Sequence, residues 1–299
     1  TSLLIYTSGS TGTPKGAIYP QSAVVRMLRA GFGLHDEIDG DAPWKTLNFM
    51  PMSHVMGRAT LSQTLGNGGT ACFTSSSDMS TLLDDLSDVQ PTQLHFVPRV
   101  WDMIYQQFVS ERGTDDDAAV MNRLRHRYFG DQPVHAITGS APISAEVAEF
   151  VTAMIGTPLI EGYGSTEAGG VLIEGRIARP PVIDYKLVDV PELGYRTTDR
   201  PHPRGELLVK TADIFAGYYR RPELTAEVFD ADGYYRTGDI MAETAPDELR
   251  YLDRRNNVIK LSQGEFVTIS HVETVLTTPP IRQLYVYGNS SRPYLLAVA

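Results

Sequence analysis

Glycines, hydroxyl side chains and one lysine crowd the stretch Tyr6-Thr7-Ser8-Gly9-Ser10-Thr11-Gly12-Thr13-Pro14-Lys15-Gly16. A loop of this composition can aim backbone N–H groups, hydroxyls and one ammonium at a polyphosphate. A flexible Ser/Gly linker would rarely follow an apolar run such as Leu3-Leu4-Ile5 or end in Pro-Lys-Gly. The loop is not a Walker A motif, which needs Gly-Lys followed by a Ser or Thr whose hydroxyl ligates magnesium. Here Lys15 follows Pro14 and precedes Gly16, so a magnesium ligand has to come from elsewhere in the chain. A kinase or P-loop ATPase is disfavoured on that ground.

The elements that would position such a loop alternate along the chain. Residues 46–49, 70–73, 93–97, 134–137 and 158–160 read as strands, and 22–32, 79–89, 99–112, 115–128 and 144–155 read as helices. This alternation predicts a mostly parallel sheet with covering helices. Ser144 with Glu146 predicts a capped helix start, and Asp115-Asp116-Asp117 is better explained by the helix dipole than by a cation site. After Val171 the runs shorten and Pro and Gly punctuate them, which predicts a β-rich region. Both ends read as the interior of a longer chain, because each is a strand-like run where natural termini are usually frayed and polar.

Composition bounds the function. The chain has 299 residues, 26 basic and 36 acidic, for a formal net charge of −10. The acidic balance argues against a nucleic-acid partner. The single cysteine, Cys72, can form neither an intrachain disulfide nor a thiolate metal cluster. No apolar run approaches the roughly 20 residues of a membrane span. The expectation is a cytoplasmic enzyme with no membrane span.

The glycine-rich loop resembles the signature of the acyl-adenylate-forming (AMP-binding) superfamily, and further motifs follow in that family's order. They are Pro51-Met52-Ser53-His54-Val55-Met56-Gly57, Thr138-Gly139-Ser140-Ala141-Pro142, Glu161-Gly162-Tyr163-Gly164-Ser165-Thr166-Glu167, Tyr234-Tyr235-Arg236-Thr237-Gly238-Asp239 and Leu252-Asp253-Arg254-Arg255 through Lys260 and Gly264. The resemblance implies an α/β adenylate-forming fold with mixed sheets and covering helices, then a β-rich part and the start of a small α+β domain, truncated at both ends. It divides the chain into 1–252, part of the large domain, and 253–299, the hinge and start of the small one.

It also implies roles. Thr7, Ser8, Gly9, Ser10, Thr11, Gly12 and Lys15 would hold the phosphates, and Ser140, Ala141 and Pro142 would lie beside the adenine. Gly162, Tyr163, Gly164 and Ser165 would line the nucleotide, with Tyr163 against the adenine. Thr166 would reach the α-phosphate, Glu167 would hold magnesium, and Asp239 and Arg254 would bind the ribose. A carboxylate suits that last task because it can accept from both sugar hydroxyls. His54, Val55, Met56, Thr138 and Gly139 would border the acid, and Lys260 and Gly264 would reach the site after rotation near Arg255 or Asn256. The family's final lysine motif is expected beyond Ala299. His95, His126, His135, His202 and His271 match no motif and are expected to be structural.

The reaction implied joins a carboxylic acid, fatty or aromatic, to the α-phosphate of MgATP and then passes the acyl group to a thiol. Ile183-Asp184-Tyr185-Lys186-Leu187-Val188-Asp189-Val190 and Leu261-Ser262-Gln263-Gly264-Glu265-Phe266-Val267 look closest to bacterial carboxylic acid reductases. In those proteins the thiol is the phosphopantetheine of a carrier domain, and NADPH serves a reductase domain outside a segment like this one. The alternatives are a free-standing long- or medium-chain acyl-CoA synthetase using CoA, and a nucleotide-binding remnant without catalysis.

Overall fold

The computed structural model describes residues 2–8, 14–29, 43–113, 116–276, 281 and 284–299. Gly9, Ser10, Thr11, Gly12 and Asp115 lie outside the described residues, as does the end of the helix expected over 22–32. The chain forms two compact units, Thr1–Glu174 with Ala212–Arg221, and Gly175–Thr211 with Pro222–Ala299. Residues 253–299 fall in the second unit together with 222–252. No helix among the described residues is long and apolar enough to cross a membrane.

The first unit runs β1 (Leu3–Ser8), β2 (Pro14–Tyr19), α1 (Gln21–Arg29), β3 (Lys45–Asn48), α2 (Val55–Gly66), β4 (Thr70–Phe73), α3 (Leu82–Val89), β5 (Gln93–Phe96), α4 (Pro98–Arg112), α5 (Asp117–Phe129), β6 (His135–Gly139), α6 (Ala145–Ile155), β7 (Leu159–Ser165) and β8 (Gly169–Ile173). Strands β5, β6 and β7 are parallel neighbours, joined by helices as parallel strands require. The expected mostly parallel sheet is thus mixed. The chain reverses after Ser165 within three residues, which can only make β8 antiparallel to β7, and β1 with β2 is likewise an antiparallel hairpin.

Local chemistry explains the helix ends. Asp116 Oδ2 accepts from Ala119 N (3.3 Å) and Ser144 Oγ from Val147 N (3.3 Å), so α5 and α6 start at side-chain caps. Helix α3 starts at Leu82 rather than Met79. Asp78 folds the preceding residues into a turn, with Ser80 N donating to its Oδ1 at 2.9 Å. The bonds from Ser80 also hold the Asp78 carboxyl below its ordinary range. Helix α2 has no amphipathic pattern to announce it, because small and polar side chains (Gly57, Ala59, Thr60, Gln63, Thr64) are buried beside Met56. Helices α3, α4, α5 and α6 pack with strands β3, β5, β6 and β7 around an apolar core in which the Phe96 ring centroid lies 5.0 Å from that of Trp101 and Leu124 is fully buried.

The second unit comprises β9 (Arg176–Ile177), β10 (Val182–Val188), β11 (Arg204–Thr211), α7 (Pro222–Glu227), β12 (Tyr235–Ala245), β13 (Glu248–Arg254), β14 (Val258–Lys260), β15 (Phe266–Thr268), α8 (Ile269–Leu276), β16 (Tyr285–Tyr287) and β17 (Leu296–Val298). Five strands pair antiparallel in the order β10-β11-β12-β13-β9. The β12–β13 ribbon carries two bulges: Leu252 has no partner between Asp253 and Tyr251, and Thr244 has none between Glu243 and Ala245. A single 3-10 turn, Arg255–Asn257, links this sheet to the β14–β15 hairpin, whose Val258 packs with Val190, Tyr195 and Ile240.

Leu124→Ala should lower the unfolding free energy by about 3 kcal/mol, as a filled core position emptied of methyl groups does. Val109→Ala, at a position 39 % exposed, should stay within about 0.5 kcal/mol. Denaturant titration of both variants checks the pair.

Candidate active site

In the first unit the β1–β2 hairpin sets the stem of the glycine-rich loop. Thr7 lies opposite Lys15 and Ser8 opposite Pro14, so Thr7 and the lysine share one face of the stem. The Lys15 ammonium stands 5.3 Å from the ring centroid of Tyr218, within cation–π range.

The turn after β7 is anchored at four points. Ser165 Oγ accepts from Ala168 N (3.1 Å), and Phe215 N donates to Glu167 O (2.8 Å). The Tyr19 hydroxyl donates to the Thr166 carbonyl, and the Tyr218 hydroxyl donates to Glu167 Oε1 at 2.7 Å. Burial, then the charges of Glu167 and Asp213, push the Tyr19 phenol well up, so it keeps its proton and acts as a donor. Arg26 in turn binds Asp213 and the Ala212 carbonyl, tying α1 to the returning segment. Glu167 itself is only 9 % exposed.

Close backbone approach marks the carboxyl ends of β6 and β7. A Cβ on Gly139 would lie 2.7 Å from the Gly162 carbonyl oxygen, and one on Gly164 would lie 2.3 Å from that of Gly169. Ser140 takes a left-handed backbone (φ 71°), costly for a residue with a Cβ and a mark of functional turns. Its hydroxyl lies 3.6 Å from Met56 Sδ, so the structure brings together the expected adenine-side turn and the expected acid pocket. Thr138 Oγ1 is buried without a hydrogen-bond partner among the described residues. His54 caps α2: Met56 N donates to its Nδ1 at 3.2 Å, which leaves the proton of the neutral ring on Nε2.

The second unit brings Asp239 and Arg254 together as register partners on β12 and β13, with Nε to Oδ1 at 3.0 Å. The carboxylate is 3 % exposed and the guanidinium 61 %. Gly238, with φ 73°, supplies the left-handed kink that precedes the aspartate. Burial, reinforced by the charges of Asp239 and Asp253, pushes the neighbouring Tyr251 phenol up. Lys260 ends β14, exposed, 5.1 Å from the Phe266 ring centroid. Gly264 (φ 91°) forms the turn that follows it.

Sequence reasoning missed Tyr19 and Tyr218. No local pattern announces a Tyr218 partner 51 residues away. The histidines without a motif include one with a distinct environment. His95 on β5 is buried, its Nδ1 3.2 Å from Thr60 Oγ1, and burial lowers its pKa from 6.5 to about 4.

The chain belongs to the AMP-binding enzyme family, whose description matches residues 1–219. It is 59 % identical over 306 residues to the carboxylic acid reductase of Mycobacterium marinum, covering 99 % of this chain and 26 % of that protein. The adenylation domain of the Segniliparus rugosus carboxylic acid reductase, solved with AMP and a co-purified carboxylic acid, superposes with a TM-score of 0.89 at 50 % identity, over 99 % of this chain and 48 % of that one. The A-PCP didomain of the same enzyme, solved with AMP, gives 0.90 at 49 % identity, over 99 % of this chain and 42 % of that one. This chain therefore has the adenylation-domain fold and spans about a quarter of the length of the curated relative it matches.

His95 supplies a pH test. An imidazole held neutral in the fold but free to protonate once unfolded makes stability fall as pH drops from about 6.5 to about 4. Denaturation midpoints across that range should slope downward towards acid for the natural protein, and His95→Gln should flatten the slope.

Proposed function

We propose that this chain is the adenylating part of a carboxylic acid reductase. A substrate carboxylate oxygen attacks the α-phosphorus of ATP, the bond to the bridging oxygen of the β-phosphate breaks, and pyrophosphate leaves acyl-AMP behind. A phosphopantetheine thiolate on a carrier domain then attacks the acyl carbon and AMP departs. A reductase domain outside this chain uses NADPH to release the aldehyde, and the whole works in the cytoplasm. The observation that carries the reading is the 50 % identity, over nearly the whole chain, with an adenylation domain solved with AMP and a carboxylic acid.

The residues fit those tasks. Lys15 and the hydroxyls of Thr7 and Ser8, with Gly9, Ser10, Thr11 and Gly12, would neutralise the phosphates. Ser140, Ala141, Pro142, Gly162, Tyr163, Gly164 and Ser165 would border the base, Thr166 the α-phosphate, and Asp239 with Arg254 the ribose. His54 Nε2–H would orient the acid among Val55, Met56, Thr138 and Gly139. Lys260 would take part after a rotation about the 3-10 turn Arg255–Asn257, at the proposed boundary between 1–252 and 253–299.

Glu167 suits magnesium. Among the described residues no group of three or more His, Cys, Asp or Glu could cage a metal. Magnesium is commonly held by one or two carboxylates together with substrate phosphates and water. When bound, the ion supplies charge neutralisation at the phosphoryl oxygens. The protein's own share is alignment, which in well-oriented pairs lowers a barrier by roughly 7–11 kcal/mol.

ATP–pyrophosphate exchange driven by fatty and aromatic acids, measured on the natural full-length protein, should be detectable and should fall at least about a hundred-fold in Lys15→Ala. The intact mass should show a phosphopantetheine adduct. A protein without the adduct that releases acyl-CoA would instead be an acyl-CoA synthetase, and one without exchange on any acid would be a binding remnant.

A further inference from the structure

We infer that Tyr218 is a positioning residue for Glu167: its hydroxyl, 2.7 Å from Oε1, holds the carboxylate in the orientation that takes up the magnesium of the nucleotide. The inference rests on the proposed role of Glu167 and extends it to a residue outside that motif.

The argument turns on what is already held without that bond. The Glu167 main chain is fixed by Phe215 N on its carbonyl (2.8 Å), by the Tyr19 hydroxyl on the Thr166 carbonyl and by the Ser165–Ala168 turn. The Tyr218 backbone is fixed as well, through its bridge to Ala17 on β2. Its ring packs edge-on against Phe215, with centroids 4.8 Å apart. The Tyr218 hydroxyl therefore acts on the glutamate side chain rather than on the path of the backbone.

A hydrogen bond to one carboxylate oxygen still leaves lone pairs for a cation, and it removes rotamer freedom that binding would otherwise have to freeze. Partners of this kind behind a metal-binding carboxylate typically change metal affinity ten- to a hundred-fold when lost. The position of the ring adds a second link. The same tyrosine faces the Lys15 ammonium, so one side chain bridges the proposed cation ligand and the proposed phosphate-binding lysine. Both Lys15 and Tyr218 belong to the first unit, as does Glu167.

Tyr218→Phe isolates the hydroxyl, because it keeps the ring against Phe215 and Lys15. The test counts protein-bound Mn2+ by electron paramagnetic resonance on the natural full-length protein with α,β-methylene-ATP. Thermal melting and AMP affinity in EDTA are measured in parallel. The expected result is about a ten-fold rise in the Mn2+ concentration for half-occupancy, with melting and metal-free AMP affinity nearly unchanged. Added to Glu167→Gln, the Tyr218→Phe change should weaken Mn2+ no further, since it acts through the group already removed.

Unchanged Mn2+ binding in Tyr218→Phe beside weakened binding in Glu167→Gln overturns the positioning role and leaves Glu167 as the ligand. Additive losses in the double variant also overturn it. Unchanged Mn2+ binding in Glu167→Gln overturns the role of Glu167 itself. Should Tyr218→Phe fold poorly, 3-fluorotyrosine at position 218 serves instead. Its fluorine resonance should move on Mg2+ addition in the natural background and stay still in Glu167→Gln, and a resonance that ignores Mg2+ in both overturns the inference.

Discussion

A carboxylate with most of its surface out of water costs free energy unless its oxygens are hydrogen-bonded. Glu167 is placed in that situation by the turn that carries it, and the bond from Tyr218 answers it. Much of the first unit's layout serves this contact. The β7–β8 hairpin presents the glutamate, β2 brings Tyr19 to the adjacent carbonyl, and the segment 212–221 returns to supply Phe215 and Tyr218. Segments far apart in sequence are thereby locked at one small turn. The ion pair of Arg26 with Asp213 holds that return in place.

The second unit solves a related problem differently. Asp239 is buried more deeply than Glu167, yet its partner Arg254 is mostly exposed, so the pair has one dry end and one wet end. The charge of a buried carboxylate is met by a guanidinium that water can still reach. A polyol arriving at such a pair meets an acceptor and a donor side by side. Antiparallel register alone brings the two residues opposite each other, without help from a loop.

Short-range signals explain what could be read in advance. Thr70–Phe73 is a strand over the residues expected, and α6 starts where Ser144 said it would. Helix α2 escaped because its buried face, Met56 apart, is made of Thr, Gln, Gly and Ala, which carry no hydrophobic period. The expected strand at 158–160 runs on to Ser165 through a glycine-rich motif. There the glycines serve close backbone contact rather than flexibility. The resemblance to family motifs singled out Lys15 and Glu167, whereas the groups that touch Glu167 and its turn, Tyr19, Tyr218 and the Phe215 amide, are defined only by tertiary contact.

The two bulges in β12–β13 lie on opposite strands, one extra residue on each. Their offsets cancel, so the pairing beside the hairpin turn and the pairing at Asp239 and Arg254 are in the same phase. Losing either bulge residue alone would slide one end of the ribbon by a single position, and a one-residue slide sends every side chain on that stretch to the other face. Length changes in this ribbon are therefore tolerable in matched pairs, which makes the hairpin a poor place for grafting and its spacing a sensitive marker when chimaeric domains are joined here.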